Sequence, residues 1–349
     1  MSDVTPVYDR EADDGLWVPI LTHYGDMRPG AVDIERTIAH LGAIRPSVRQ
    51  IMLAGSTGDG WDIDAAGFDA LIDLAARKEV LDLDLAILFG ALCPTTEEVV
   101  ARLRRLEERL RVEPALAEQC RGVVVCPPVD PAATQEAIKA HYDAVMAQST
   151  LPIAVYQLPQ VTGCTLAPQT LADLSRSPRV TMFKDSSGAD AVADSRLDFG
   201  TVWMVRGAEG GYDEALKPVG PYDGWLLSTG NAVAPHLREI LHLRETGDAA
   251  GARELSGRLS TAIAAAFEAA QGEPGANAFS NANRAMDHIQ AHGSAWRDQP
   301  LPRKVDGNVL SLAVVEKVER VMAPFLDGSA SGYMKAGAVS VSRKPERNL

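Results

Sequence analysis

Gln50-Ile51-Met52-Leu53-Ala54-Gly55-Ser56-Thr57-Gly58-Asp59-Gly60 is an apolar run that stops in a glycine-rich turn. Asp64 to Lys78 then places Phe68, Leu71, Ile72 and Ala75 on one face at helical spacing. The reading is strand, turn, helix. The same unit stands on both sides of it. Upstream, Leu16 to Thr22 precedes Asp33 to Ala43, with Ile34, Ile38 and Leu41 in helical period. Downstream, Leu83 to Phe89 leads to Thr95 and Glu98, whose spacing is that of a capping box at the head of a helix running to about Arg111. Gly122 to Cys126, Ile153 to Tyr156, Val180 to Lys184, Thr201 to Val205 and Gly224 to Leu227 continue the strands. Their helices are Gln135 to Ala147, Pro168 to Ser175, a weakly patterned Ala189 to Leu197, a short one around Asp213 to Lys217, and Ala234 to Arg244.

Near-continuous apolar strands alternating with helices imply a parallel sheet covered on both faces. Eight alternations between residues 15 and 247 fit an α/β fold of the closed (β/α)8 TIM-barrel type better than an open sheet. A polar arm, 1–14, precedes the barrel. From 248 to 326 the pattern is helical only (Ala249 to Ala270, Ala276 to Ala291, Leu310 to Phe325), a C-terminal helical subdomain. The remainder, 327–349, is rich in Ser, Gly, Lys and Arg without periodicity and reads as a flexible tail or an oligomer arm.

The chain of 349 residues carries 34 Lys and Arg against 47 Asp and Glu, a net charge of −13, which argues against nucleic acid or an anionic membrane surface as partner. Cys93, Cys120, Cys126 and Cys164 have no zinc spacing and read as buried free thiols in a cytoplasmic protein. No signal peptide or membrane span is legible, and no metal or cofactor is called for.

In such a barrel, chemistry belongs at the carboxyl ends of the strands. Ser56 and Thr57 follow the second strand, Tyr156 ends the fifth, and Lys184 ends the sixth in Lys184-Asp185-Ser186-Ser187-Gly188. Gly207-Ala208-Glu209-Gly210-Gly211 follows the seventh, and Ser228-Thr229-Gly230-Asn231 the eighth. A lysine desolvated at the end of a buried strand loses its proton more easily and becomes a nucleophile, which suggests imine chemistry. Each residue alone has a plainer reading: a lysine that reaches solvent, a core tyrosine, a loop carboxylate at Glu209, a tight turn at Ser56-Thr57. The turn also has glycines at phosphate-loop spacing, but Trp61 stands where that motif needs lysine. His23 reads as structural, and His288 with His292 as solvated.

Taken together, Gly55-Ser56-Thr57-Gly58-Asp59, Tyr156-Gln157-Leu158-Pro159, Lys184-Asp185-Ser186-Ser187-Gly188 and Gly230-Asn231 resemble the dihydrodipicolinate synthase / N-acetylneuraminate lyase family of Schiff-base aldolases. The similarity runs from about Leu16 to Phe325. It implies that Lys184 forms an imine with pyruvate or another 2-oxo acid, that Tyr156 shuttles protons, and that Thr57 takes part in catalysis. Gly55, Ser56 and Thr57 would hold the carboxylate, while Glu209, Leu226 and Ser228 would line the pocket for a second substrate such as an aldehyde. A homotetramer or homodimer is implied as well.

The sequence also departs from that family. Pro128 and Val129 stand where the synthase branch has a tyrosine relay, and Val161 where it has an arginine for the second substrate's carboxylate. Asp59 replaces a glutamate and Gln157 an asparagine. The expectation is a class I lyase, aldolase or hydratase-aldolase, that is not the lysine-biosynthesis enzyme; the alternative is a non-catalytic sensor of a 2-oxo acid on the same barrel.

Overall fold

The computed structural model describes residues 14–326 and 331–334. Eight parallel strands close into a barrel in chain order. They are β1 (Leu16–Pro19), β2 (Gln50–Leu53), β3 (Ala86–Gly90), β4 (Cys120–Val125), β5 (Ile153–Gln157), β6 (Val180–Asp185), β7 (Trp203–Arg206) and β8 (Gly224–Leu226). β8 pairs with β1, through Leu16 with Trp225 and Trp17 with Leu226, so no edge remains.

Alternation along each strand sorts the apolar side chains into two layers. Trp17, Met52, Leu88, Val124, Ala154, Met182 and Leu226 fill the barrel, while Val18, Ile51, Leu53, Ile87, Val123, Val155 and Phe183 face the surrounding helices. Those helices are α1 (Ile34–Ile44), α2 (Ala65–Ala75), α3 (Lys78–Leu81), α4 (Thr96–Val112), α5 (Pro114–Gln119), α6 (Gln135–Gln148), α7 (Pro159–Thr162), α8 (Pro168–Leu174), α9 (Tyr212–Ala215) and α10 (Gly230–Glu245). Side-chain caps start α1 at Asp33, α2 at Asp64 and α6 at Thr134; at α4 both halves of the Thr95/Glu98 capping box form. α11 (Ala249–Ala269), α12 (Ala278–His292) and α13 (Leu312–Met322) pack on one another, α11 and α12 also touching α10. Among the described residues, no helix is long and apolar enough to cross a membrane.

Two expectations need correction. Ala189 to Leu197 is not a helix: it holds only a 3-10 turn at Ala193–Ser195, because Asp190 (φ 53°) and Arg196 (φ 60°) are left-handed. Asp190 is instead committed to tertiary bonds, accepting from Arg206 Nε (3.3 Å) and the Tyr222 hydroxyl (2.7 Å). The tail is also not free over its whole length. Residues 331–334 lie on α12, with the amide of Met334 bonded to the Ala291 carbonyl (2.9 Å) and the Tyr333 hydroxyl to Asp287 Oδ1 (2.5 Å). Residues 1–13 of the arm, and 327–330 and 335–349 of the tail, lie outside the described residues.

Candidate active site

Lys184, the penultimate residue of β6, points into the barrel and is 3% exposed. The β5–β6 register sets it beside Tyr156, and its Nζ stands 4.0 Å from the centre of the tyrosine ring. Burial lowers its pKa from 10.5 to about 7, against smaller upward effects of Cys126 and Glu209. A large fraction of the amine is therefore neutral, and nucleophilic, near neutral pH.

Burial keeps the Tyr156 phenol protonated by raising its pKa, prevailing over the nearby hydroxyls of Ser186 and Ser56, which favour its ionised form. Ser56 begins the 3-10 turn Ser56–Gly58 that follows β2, and its hydroxyl also accepts from Trp61 Nε1 (3.1 Å). Only glycine fits at 58 and 60: a Cβ there would overlap the carbonyl oxygens of Ile20 and Ala54 respectively. The turn is thereby packed tightly against the ends of β1 and β2. Thr57 is buried beside Ser56 and lines the same cavity.

That cavity, about 700 Å3, opens above Lys184. Of the residues singled out from sequence, Lys184, Tyr156, Ser56, Thr57, Glu209, Leu226 and Ser228 all line it. Gly55 does not; its carbonyl accepts the amides of Gly58 and Gly60 and so shapes the turn. Glu209 is already engaged. Its carboxylate accepts from Ser228 Oγ (2.8 Å), Thr229 N (3.0 Å), Thr229 Oγ1 (2.8 Å) and the Tyr212 hydroxyl (3.0 Å), tying the loops after β7 and β8 together. Asp59 and Gln157 also serve the loops. Asp59 accepts from Tyr24 and Arg284, and Gln157 receives the Leu166 amide (2.7 Å) while donating to Asp185 (3.3 Å).

Sequence reasoning missed Ser186 as a partner of Tyr156, although it lies two residues beyond the lysine in the same motif. It also missed the roof. Ile263, Ala264 and Phe267 of α11, with Asn277 and Phe279 at the start of α12, close the cavity over the barrel mouth. Phe267 and Phe279 meet edge to face at 4.8 Å. Trp61, Leu158 and Val161 complete an apolar upper chamber, and among the described residues Lys184 is the only cationic side chain lining the cavity. Neither Pro128 nor Val129 lines it.

His23, His40 and Asp287 bring ligand atoms close enough for a metal ion. The donor set is already satisfied without one. Asp287 receives Arg36, His23 (3.1 Å), His40 (2.8 Å) and Tyr333, and a guanidinium on the same carboxylate opposes a second cation. Burial and Arg36 lower the His23 pKa to about 3. Burial alone would raise the Asp287 carboxyl, but Arg36 and the two histidines hold it well below the usual range. His288 is buried rather than solvated, its Nε2 bonded to the Trp296 carbonyl (3.0 Å).

A profile described as the Dihydrodipicolinate synthetase family matches residues 38–278. The 4-hydroxy-tetrahydrodipicolinate synthase of Parasynechococcus marenigrum (strain WH8102) is 28% identical over 243 residues, covering 68% of this chain and 76% of that protein. The protein of the same name from Stenotrophomonas maltophilia (strain R551-3) is 28% identical over 236 residues, covering 66% and 74%. Among solved structures, YagE, a prophage protein of E. coli K12 belonging to the dihydrodipicolinic acid synthase family and crystallised with pyruvate, superposes with a TM-score of 0.69 at 17% identity, covering 89% of this chain and 98% of YagE. KD(P)GA from T. tenax gives 0.68 at 16% identity, with the same coverage. Both likenesses concern the fold.

Proposed function

The chain belongs to the dihydrodipicolinate synthetase family and is an enzyme of the class I aldolase type, and from that premise we propose that it makes or breaks a bond of a 2-oxo acid whose distal part carries no charge. The observation that carries the reading is a buried lysine, its Nζ 4.0 Å from the centre of the Tyr156 ring, at the floor of a cavity that has no other cationic side chain among the described residues; that burial lowers its pKa to about 7.

In this mechanism the neutral Lys184 amine adds to the ketone carbon of pyruvate. Tyr156 passes a proton to the departing hydroxyl, water leaves, and a protonated imine remains. Loss of a proton from the adjacent methyl carbon gives an enamine, which attacks an aldehyde carbonyl; hydrolysis of the new imine returns the amine. Cleavage runs the same steps backward, and a hydratase-aldolase adds or removes water on the same imine. Ser56 and Thr57 receive the carboxylate beside the lysine. The second substrate lies against Trp61, Leu158, Val161, Ile263 and Phe267, where an uncharged, apolar group is favoured and a second carboxylate finds no cationic partner among the described residues. This supports a substrate other than that of lysine biosynthesis. A cytoplasmic homo-oligomer, dimer or tetramer, belongs to the same reading.

Borohydride reduction with pyruvate, followed by intact mass and peptide mapping, tests the first half. An adduct on Lys184, absent from Lys184→Ala, is expected; an unmodified wild type over a panel of 2-oxo acids overturns it. A panel of acceptor aldehydes tests the second half, which fails if an acceptor bearing a carboxylate turns over fastest.

A further inference from the structure

The turn that carries Ser56 and Thr57 is gripped from above by one face of α12. Asn277, the N-cap residue, Ser280 and Arg284 follow one another at intervals of three and four, which aligns them along the helix. Asn277 Nδ2 and Ser280 Oγ both donate to the Ser56 carbonyl, at 3.3 Å each. Arg284 donates to the carboxylate of Asp59, the left-handed residue (φ 58°) that closes the turn, and the Tyr24 hydroxyl donates to the same oxygen at 2.9 Å. The pair is fully enclosed: Asp59 is 1% and Arg284 3% exposed.

Stability alone does not account for it. Among the described residues Asp59 Oδ1 and Arg284 Nε and Nη1 have no hydrogen-bond partner, so the charges are incompletely compensated. Well-packed apolar side chains of the same volume often hold two elements together as firmly as a buried ion pair does. What the ion pair adds is direction, because the charge-assisted bond from Arg284 Nη2 and the bond from the Tyr24 hydroxyl meet on one oxygen of Asp59 and so set where the carboxylate stands and how the turn presents its hydroxyls and amides.

We infer that Arg284 is a positioning residue of the reaction, acting through Asp59 to hold the Ser56–Thr57 turn in the geometry that receives the carboxylate of the 2-oxo acid. The inference rests on the proposed role of that turn. α12 is thus part of the substrate-binding apparatus, although Arg284 itself does not line the cavity above Lys184.

The test is borohydride trapping of pyruvate by full-length wild type, Arg284→Met, Arg284→Lys and the double variant Asp59→Asn/Arg284→Met, with thermal melts alongside. Arg284→Met is expected to raise the pyruvate concentration for half-maximal trapping by roughly tenfold or more, as displaced binding groups do. Its trapping at saturating pyruvate should keep the wild-type pH midpoint, since Lys184 is untouched. Arg284→Lys should recover part of the loss. The double variant leaves no unpaired buried charge and should melt above Arg284→Met while still binding pyruvate weakly. Half-saturation at the wild-type value in folded Arg284→Met, or in the double variant, overturns the inference. Should both fail to fold, Ser280→Ala, which removes a bond to the Ser56 carbonyl without touching the cavity lining, decides in the same terms: a raised half-saturation supports the clamp and an unchanged one refutes it. Absence of any adduct on wild type would instead refute the Schiff-base reading, so the two failures are distinct.

Discussion

Replacing Lys184 by Met should make the protein more stable, and by an amount that depends on pH. The buried amine titrates at about 7, whereas in the unfolded chain it titrates at 10.5. Between those values the unfolded chain binds more protons than the folded one, so wild-type stability climbs as pH rises through that window and is level on either side of it. The displacement corresponds to roughly 5 kcal/mol of destabilisation at and below neutral pH, vanishing above about pH 10.5. Methionine has nearly the same length and no charge to desolvate. Urea melts at pH 6, 7.5 and 9 are the assay. The Lys184→Met advantage should be largest at pH 6, approach that magnitude, and shrink steadily toward pH 9. Subtracting the two curves removes the cysteines and tyrosines that titrate in the same range. Parallel curves, or a variant less stable than wild type at pH 6, would refute the argument that desolvation makes this lysine reactive.

The rate of pyruvate trapping should rise with pH through a midpoint near 7 and then level off, read by quenching with borohydride at fixed times. Tyr156→Phe removes the phenolic proton without opening a hole, and steady-state turnover should fall by about 10²- to 10⁴-fold. Val161 is 41% exposed at the rim of the cavity. Val161→Arg should therefore be tolerated and shift kcat/KM toward acceptors bearing a carboxylate by about tenfold, the worth of one charge-assisted hydrogen bond. Tyr333→Phe deletes a donor to the buried Asp287 and should cost about 1.5–3 kcal/mol, visible in denaturant midpoints with little change in trapping.

The barrel was legible because its strands are buried on both faces and so read as unbroken apolar runs, Gln50 to Ala54 and Val180 to Lys184 among them. The rim was legible for a related reason: polar residues immediately after such runs had to stand at one end of the barrel. The missing helix after β6 was hidden because its sequence composition permits a helix, while the left-handed Asp190 and Arg196 and the bonds of Asp190 to Arg206 and Tyr222 are properties of the assembled fold. The roof was hidden for the opposite reason. Ile263 and Phe267 are spaced as any amphipathic helix spaces its core face, and nothing local distinguishes a residue that covers a cavity from one that fills a core. The Asp59–Arg284 pair spans 225 positions, beyond the reach of any pattern read along the chain.

Closure of the barrel by β1 and β8 also bears on when the chain acquires its reactivity. Lys184 is synthesised before β7, β8 and the helices that roof the cavity. Until the first and last strands meet, its amine is hydrated and carries an ordinary charge, indifferent to the carbonyl metabolites around it. Late, long-range pairings of this kind form slowly. Nucleophilicity is thus postponed to the end of folding, and a truncated or misassembled copy would carry the lysine without its chemistry.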